Sequence, residues 1–220
     1  MTEYDRGVSR ATALDTASIS DAMDKLGIAG QCLGIKPRDP DFRLIGRAFT
    51  IRYGPATAPP GSVGDYIDDL PPGTVVAIDN GGREDATVWG DILTFLASQK
   101  GLAGTVIDGA CRDTALCRKL GYPVYSRSFS MRTGKDRVQV EAYDQPINLG
   151  DARVCPGDLL VGDADGIVAI PTAHEEVILD TAEHISRAEE EIRALLHNGS
   201  RLDDARQQLR YHQLQTPDAQ

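Results

Sequence analysis

Asp91 and the adjacent pair Arg112 and Asp113 are the residues whose types and spacing point most directly to chemistry, with twenty positions, 92–111, between them. Arg112 would present a planar fork of donors suited to holding a carboxylate at two points. Asp113 repels the same anion. A carboxylate beside a guanidinium, with more acids nearby, suits a hard cation such as Mg²⁺, which takes one or two protein carboxylates and fills its other positions with water and substrate oxygens. Asp91 opens a helix-like segment whose first amides, around Gly90, Ile92 and Leu93, would add partial positive charge. Metal, guanidinium and amides would then converge on one small acid. The same residues have a plainer reading, with Asp91 and Asp113 as helix caps and Arg112 in a surface ion pair of little energetic weight. Residue chemistry alone leaves the two balanced.

The elements that must position these residues follow from periodicity. Apolar residues Leu14, Ile19, Ala22, Met23 and Leu26 form a helical stripe over 9–26, closed by Gly27 and Gly30. Alternation predicts a strand over 43–53, then a proline-rich loop, a short helix over Val63 to Leu70 and a buried strand over Thr74 to Ile78. A helix over 88–99, a strand over Thr105 to Ile107, a helix over 114–120 and a strand over 123–126 make a β-α-β unit with a right-handed crossover. The loop Asp108 to Cys111 would carry Arg112 and Asp113 to the sheet edge, where open α/β sheets bind ligands. Beyond it lie a β-rich section over 136–154, a hairpin over Pro156 to Pro171 and a long amphipathic helix over His174 to Leu196. A further amphipathic piece runs from Leu202 to Leu214. Gly81 and Gly82, after the strand at Thr74 to Ile78, read as a pocket wall that lets backbone approach a ligand. Arg83 is a candidate second contact for a polycarboxylate.

Asp91 followed after twenty residues by Arg112 and Asp113 resembles the D-x20-R-D signature of the class II pyruvate aldolases of the RraA-like family, which cleave 4-hydroxy-4-methyl-2-oxoglutarate and 4-carboxy-4-hydroxy-2-oxoadipate. Further likeness lies in SISDAMDKLGIAG at Ser18 to Gly30, GRAFT at Gly46 to Thr50 and PGDLLVGDADGIVAIP at Pro156 to Pro171. The resemblance implies an α/β layered sandwich like the phosphohistidine swivelling domain, assembled as a homotrimer or homohexamer. It implies Mg²⁺ or Mn²⁺ held by Asp113, catalytic roles for Arg112 and Asp91, and an oxo-acid substrate bound by Gly90, Asp91, Ile92, Leu93 and Arg112. The expected reaction is retro-aldol cleavage of a 4-hydroxy-2-oxo acid to pyruvate and a second oxo acid, with oxaloacetate decarboxylation through the same enolate. An acid from a neighbouring subunit's C-terminal region would approach the metal, which makes Glu189, Glu190 and Glu191 candidates. The family also holds non-catalytic regulators of ribonuclease E, and a metal-dependent lyase or hydratase acting on a sugar acid is a further alternative.

Composition narrows the classes. A length of 220 residues suits one domain, read as a catalytic unit over 1–198 with a helical extension and tail over 199–220. The net charge of −10 opposes a nucleic-acid partner. No apolar run approaches a membrane span and the first residues lack the apolar core of a signal peptide, so a cytoplasmic, soluble protein is expected. Cys32, Cys111, Cys117 and Cys155 form no C-x-x-C pair. Cys111 beside the site has no histidine near in sequence, which disfavours a thiol nucleophile.

Overall fold

The structure, a computed structural model, describes residues 5–62, 64–211, 214 and 216. The chain opens with α1 (Arg6–Ala11) and α2 (Thr16–Leu26), followed by β1 (Lys36–Pro37), β2 (Leu44–Pro55) and β3 (Thr74–Asp79). The β-α-β unit comes next: α3 (Asp91–Gln99), β4 (Gly104–Cys111), α4 (Thr114–Leu120) and β5 (Val124–Phe129). Then come β6 (Val138–Tyr143), β7 (Ile147–Leu149), β8 (Ala152–Val154), β9 (Leu159–Gly162) and β10 (Ile167–Ile170), and last α5 (Glu175–His197) and α6 (Leu202–Gln208).

Eight strands form one strongly curled mixed sheet in the order β1-β5-β4-β3-β2-β9-β10, with β6 on the far half of β2. The strands β2, β3, β4 and β5 run parallel. Their antiparallel neighbours β1, β6 and β9 flank them, and β10 pairs with β9. The β7–β8 hairpin forms a small second sheet. All eight residues of β4 are buried, as expected of a parallel strand covered on both faces.

Two apolar cores lie against this sheet. Val75, Val76, Ile78, Val106, Ile107 and Trp89 belong to the first, with Leu93 and Leu96 packed on it. Ile19, Met23, Leu159, Val161, Ile178, Leu179 and Ile185 belong to the second, which joins α1, α2 and α5 to β9 and β10. Ala205 and Leu214 are buried, so the segment after α5 folds back. Of the predicted helix over Leu202 to Leu214, the helical part is α6, and residues 212 and 213 lie outside the described residues.

Three expectations change. The helix expected over 9–26 is two helices, because the Asp15 carboxylate accepts from Ser18 N at 2.7 Å and starts a new one. The helix expected over Val63 to Leu70 is turn and bend over 64–70, and Val63 is outside the described residues. The loop expected at Asp108 to Cys111 is the end of β4. Gly109, at φ +158, permits that extension, since a Cβ there would stand 2.9 Å from Asn80 Cβ.

The first described turn is tied down electrostatically. Asp5 accepts from Arg47 Nε and Nη2 at 2.7 Å each, and Glu175 at the start of α5 binds the same guanidinium. Hydrogen bonding to Arg47 holds the Asp5 carboxyl below its ordinary value, against a smaller opposing effect of burial. A carboxyl lowered on folding stabilises the fold above its unfolded value, about 3.9, and that contribution is lost as pH falls through the lower folded value. Urea unfolding of Asp5→Asn against the wild type is therefore expected to show a stability gap at pH 7 that narrows progressively below pH ~4.

Candidate active site

The segment Thr87 to Trp89 brings the two halves of the motif together. Val88 N donates to Ala110 O at 3.2 Å and Arg112 N donates to Trp89 O at 2.9 Å, so the chain entering α3 lies alongside the end of β4. Gly90 is the N-cap of α3 and Asp91 its first residue, which corrects the reading of Asp91 as a cap. Trp89 Nε1 donates to Thr94 Oγ1 at 2.9 Å, and Thr94 Oγ1 donates to Gly90 O at 2.8 Å. The buried indole stacks on Tyr122 at 6.2 Å between ring centroids. This chain of contacts fixes the helix start from inside the core.

Asp113 occupies the N-cap position of α4 in the left-handed region (φ 58), but its side chain does not cap that helix. Asp113 Oδ2 instead accepts from Asp91 N at 3.1 Å, at the positive end of α3, and lies 3.2 Å from Arg112 Nε. A non-glycine residue at positive φ is uncommon and marks a constrained position. Both side chains remain open to solvent, at 38% for Arg112 and 39% for Asp113. Asp91 Oδ1 accepts from Ile92 N at 2.9 Å, so an anion reaching that amide would displace the Asp91 carboxylate.

Gly90 makes this apposition possible. A Cβ at that position would stand 2.9 Å from Asp113 Oδ2 and 3.1 Å from Arg112 Nε. Gly90→Ala is therefore expected to push the pair apart and lower kcat by roughly 10- to 100-fold, since a misplacement of about 1 Å costs on that order. The melting temperature should fall only a few degrees, and steady-state kinetics with a thermal melt separates the two effects.

A cleft of about 490 Å³ opens beside these residues, lined by Trp89, Gly90, Asp91, Ile92, Leu93 and Arg112 and, from other segments, by Ser62, Asp65 and Thr133 to Asp136. Gly90, Asp91, Ile92, Leu93 and Arg112 thus line one cavity, and Asp113 is bonded to its rim. Sequence reading missed Ser62, Asp65, Lys135 and Asp136, which reach the cleft from turns whose approach depends on tertiary pairing alone. Gly81, Gly82 and Arg83 are not among the lining residues. Gly82 N donates to Asp108 O at 3.1 Å, and Arg83 is paired with Asp85 at 2.9 Å, so these residues serve the turn itself. Glu189, Glu190 and Glu191 do not line the cleft of their own chain either, and Glu189 lies 3.6 Å from Arg193 on α5.

Cys111 is buried, 3.4 Å from Ser126 Oγ, and desolvation pushes its thiol up, the opposite of what a nucleophilic thiolate needs. Among the described residues no three His, Cys, Asp or Glu side chains converge as a ready cation cage. The donor set at Asp113 fits the other mode, a hard cation held by one carboxylate with water and substrate oxygens completing its shell. Asp113 Oδ1 has no hydrogen-bond partner among the described residues, and the exposure of the side chain keeps that carboxylate approachable.

Fold and cleft together define a mixed α/β protein in which a helix start and a carboxylate–guanidinium pair meet at one sheet edge. Residues 16–169 match the RraA-like family, Aldolase/RraA, and the chain belongs to that family. It is 36% identical over 202 residues to DlpA of Legionella pneumophila, covering 90% of this chain and 33% of DlpA, so it spans about a third of that relative's length. It is 31% identical over 133 residues to 4-hydroxy-4-methyl-2-oxoglutarate aldolase of Thermus thermophilus, covering 59% of this chain and 76% of that one. A protein of Pseudomonas syringae of uncharacterised role superposes with a TM-score of 0.86 at 38% identity, covering 94% of this chain and all of the other. RraAS2 of Streptomyces coelicolor, described as an unusual member of an RNase ES inhibitor family, superposes at 0.80 with 27% identity, covering 87% and 99%. No helix among the described residues is long and apolar enough to cross a membrane.

Proposed function

We propose that this protein is a divalent-metal-dependent pyruvate aldolase that cleaves a 4-hydroxy-2-oxo acid to pyruvate and a second oxo acid, and that decarboxylates oxaloacetate as a side activity. The observation that carries the reading is the apposition of Asp113 Oδ2 to Asp91 N at 3.1 Å and to Arg112 Nε at 3.2 Å on the rim of one cleft. Similarity to the Thermus aldolase supports it.

In this reading the substrate carboxylate sits at the start of α3, against the Ile92 and Leu93 amides. Arg112 directs its remaining guanidinium donors at the 2-oxo oxygen, which gathers negative charge as the bond between C3 and C4 breaks and an enolate forms. Preorganised donors aimed at developing charge commonly make the largest single catalytic contribution. Asp113 is the residue that would hold Mg²⁺ or Mn²⁺, whose chemistry there is Lewis-acid polarisation of the substrate. Asp91 orients the water that takes the 4-hydroxyl proton. A homotrimer or homohexamer accompanies the reading, supported by Ile92 and Phe95 on α3, Phe129 at the end of β5 and Met131 just after it, which are all exposed large apolar side chains.

The test is pyruvate release from 4-hydroxy-4-methyl-2-oxoglutarate and from oxaloacetate by the wild-type protein with Mg²⁺, with Mn²⁺ and with EDTA. Release that needs metal is the expected result. Silence on both substrates with metal present would discard the aldolase reading. It would favour a sugar-acid lyase or a regulator that acts by protein contact, the role to which the RraAS2 likeness points.

A further inference from the structure

Part of the cleft wall comes from the chain that leaves β2. Pro60, Gly61 and Ser62 line the cavity, followed by Gly64 and Asp65. Residues 57–62 are all exposed, so burial of apolar surface does not hold this strap in place. Pro59 and Pro60 have no N–H, which leaves the strap few backbone donors with which to build a turn of its own. It is attached along β6 instead. Ala56 N donates to Arg137 O and Val140 N donates to Ser62 O, each at 3.0 Å, which ties the two ends of the strap beside that strand.

Between those ends one oxygen gathers the strap. Gln139 Oε1 accepts from Thr57 N at 3.1 Å and from Gly61 N at 2.8 Å. Backbone amides only donate, so the carboxamide must turn its oxygen toward them, and its two lone pairs match the two donors. Thr57 Oγ1 lies 3.0 Å from the same oxygen and 2.9 Å from Pro59 O, which leaves its single proton to close the strap on itself. A Cβ at Gly61 would stand 3.1 Å from Gln139 Oε1 and 3.4 Å from Gln139 Cβ, so only glycine comes this close without strain. Gln139 is itself fixed, since it pairs with Gly54 of β2 in the sheet. The placement carries on into the cleft. Ser62 Oγ accepts from Gly64 N at 3.2 Å and donates to Asp65 Oδ2 at 2.5 Å. The buried Tyr66 and Ile67 then return the chain to the core.

We infer that Gln139 is a positioning residue for the substrate, which it never touches: it acts through Thr57 and Gly61 and keeps residues 57–62 in place as a wall of the cleft. Gln139 is not among the lining residues. This rests on the proposed oxo-acid reading of the cleft. The strap carries no group that takes part in bond breaking, so its order contributes equally to the bound substrate and to the transition state, and its loss appears in KM rather than in kcat. A substrate that meets a released strap must first order it, which lowers the apparent affinity by the fraction of time the wall is in place.

The experiment has two arms, run on wild type, Gln139→Met and Gln139→Glu with a thermal melt of each. The first is millisecond amide hydrogen exchange read by mass spectrometry, without substrate. In Gln139→Met the Thr57 and Gly61 amides should exchange about five- to tenfold faster, the protection that one bond of ordinary net strength gives. Gln139→Glu keeps the acceptor and should exchange as the wild type does. The second arm is steady-state cleavage of 4-hydroxy-4-methyl-2-oxoglutarate with Mg²⁺, where Gln139→Met should raise KM by about three- to tenfold and leave kcat within about twofold. Unchanged exchange at Thr57 and Gly61, faster exchange spread over β2 and β6 with a lowered melting temperature, or a freed strap with KM unaltered would each overturn the inference. Absence of pyruvate release by the wild type would instead sink the aldolase reading, and the exchange arm would still decide whether Gln139 holds the strap.

Discussion

Asp113→Asn is expected to lower kcat/KM for oxo-acid cleavage by about 10³-fold, since Lewis-acid stabilisation contributes several kcal/mol to a developing charge. The substitution separates the two readings of this residue. Asp113 Oδ2 accepts from Asp91 N, so Asp113 does act as a cap, though for α3 rather than for its own helix. Asparagine keeps an acceptor at that position and keeps the cap, while it removes the charge that a divalent cation needs. A purely structural Asp113 predicts a nearly silent variant, because Asp and Asn are about equal as caps. Steady-state kinetics at saturating Mg²⁺, with the melting temperature measured alongside, distinguishes the outcomes. A large kinetic loss at unchanged stability assigns the carboxylate to chemistry.

The second large effect is at Arg112. Arg112→Lys keeps a positive charge and loses the planar fork, and kcat should fall by about 10²–10³-fold, the cost of deleting one preorganised oxyanion donor. KM should change much less, because the contact strengthens as charge develops on the 2-oxo oxygen. Arg112 also lies 3.2 Å from Asp113 Oδ2, so its loss could act through the neighbour. Mn²⁺ affinity decides between the two routes. An affinity within a few-fold of wild type, beside a collapsed kcat, places the effect at the substrate, whereas parallel losses would make Arg112 a positioning residue for Asp113.

What could be read from the chain in advance follows from which interactions are local. The sheet strands and the long helix α5 were legible because burial imposes a period of two or of 3.6 on apolar residues. The motif residues were legible through their types, and the structure puts Gly90, Asp91, Ile92, Leu93 and Arg112 on one cleft. The break between α1 and α2 was not, because Leu14 lies on the apolar stripe and only the Asp15 side chain resets the helix. The extension of β4 through Cys111 was missed for a related reason. Asp108 and Gly109 look like a turn until Asp108 is seen bonded to Arg127 and to Gly150 N, inside the fold. Arg83 looked available to substrate by its place in the sequence, but the carboxylate of Asp85, two residues on, takes its guanidinium. Lys135 had no sequence signal at all, since its approach depends on Thr87 pairing with Thr133 across 46 positions of chain.

The most direct measurement is a titration of the protein with Mn²⁺, followed by electron paramagnetic resonance, with and without oxalate as a mimic of the pyruvate enolate. It should be run in parallel on wild type and Asp113→Asn. The account predicts one Mn²⁺ per chain, bound more tightly when oxalate is present, and loss of that site in the variant. Binding of Mn²⁺ that is unchanged in Asp113→Asn, or oxalate that binds equally well in EDTA, would contradict it.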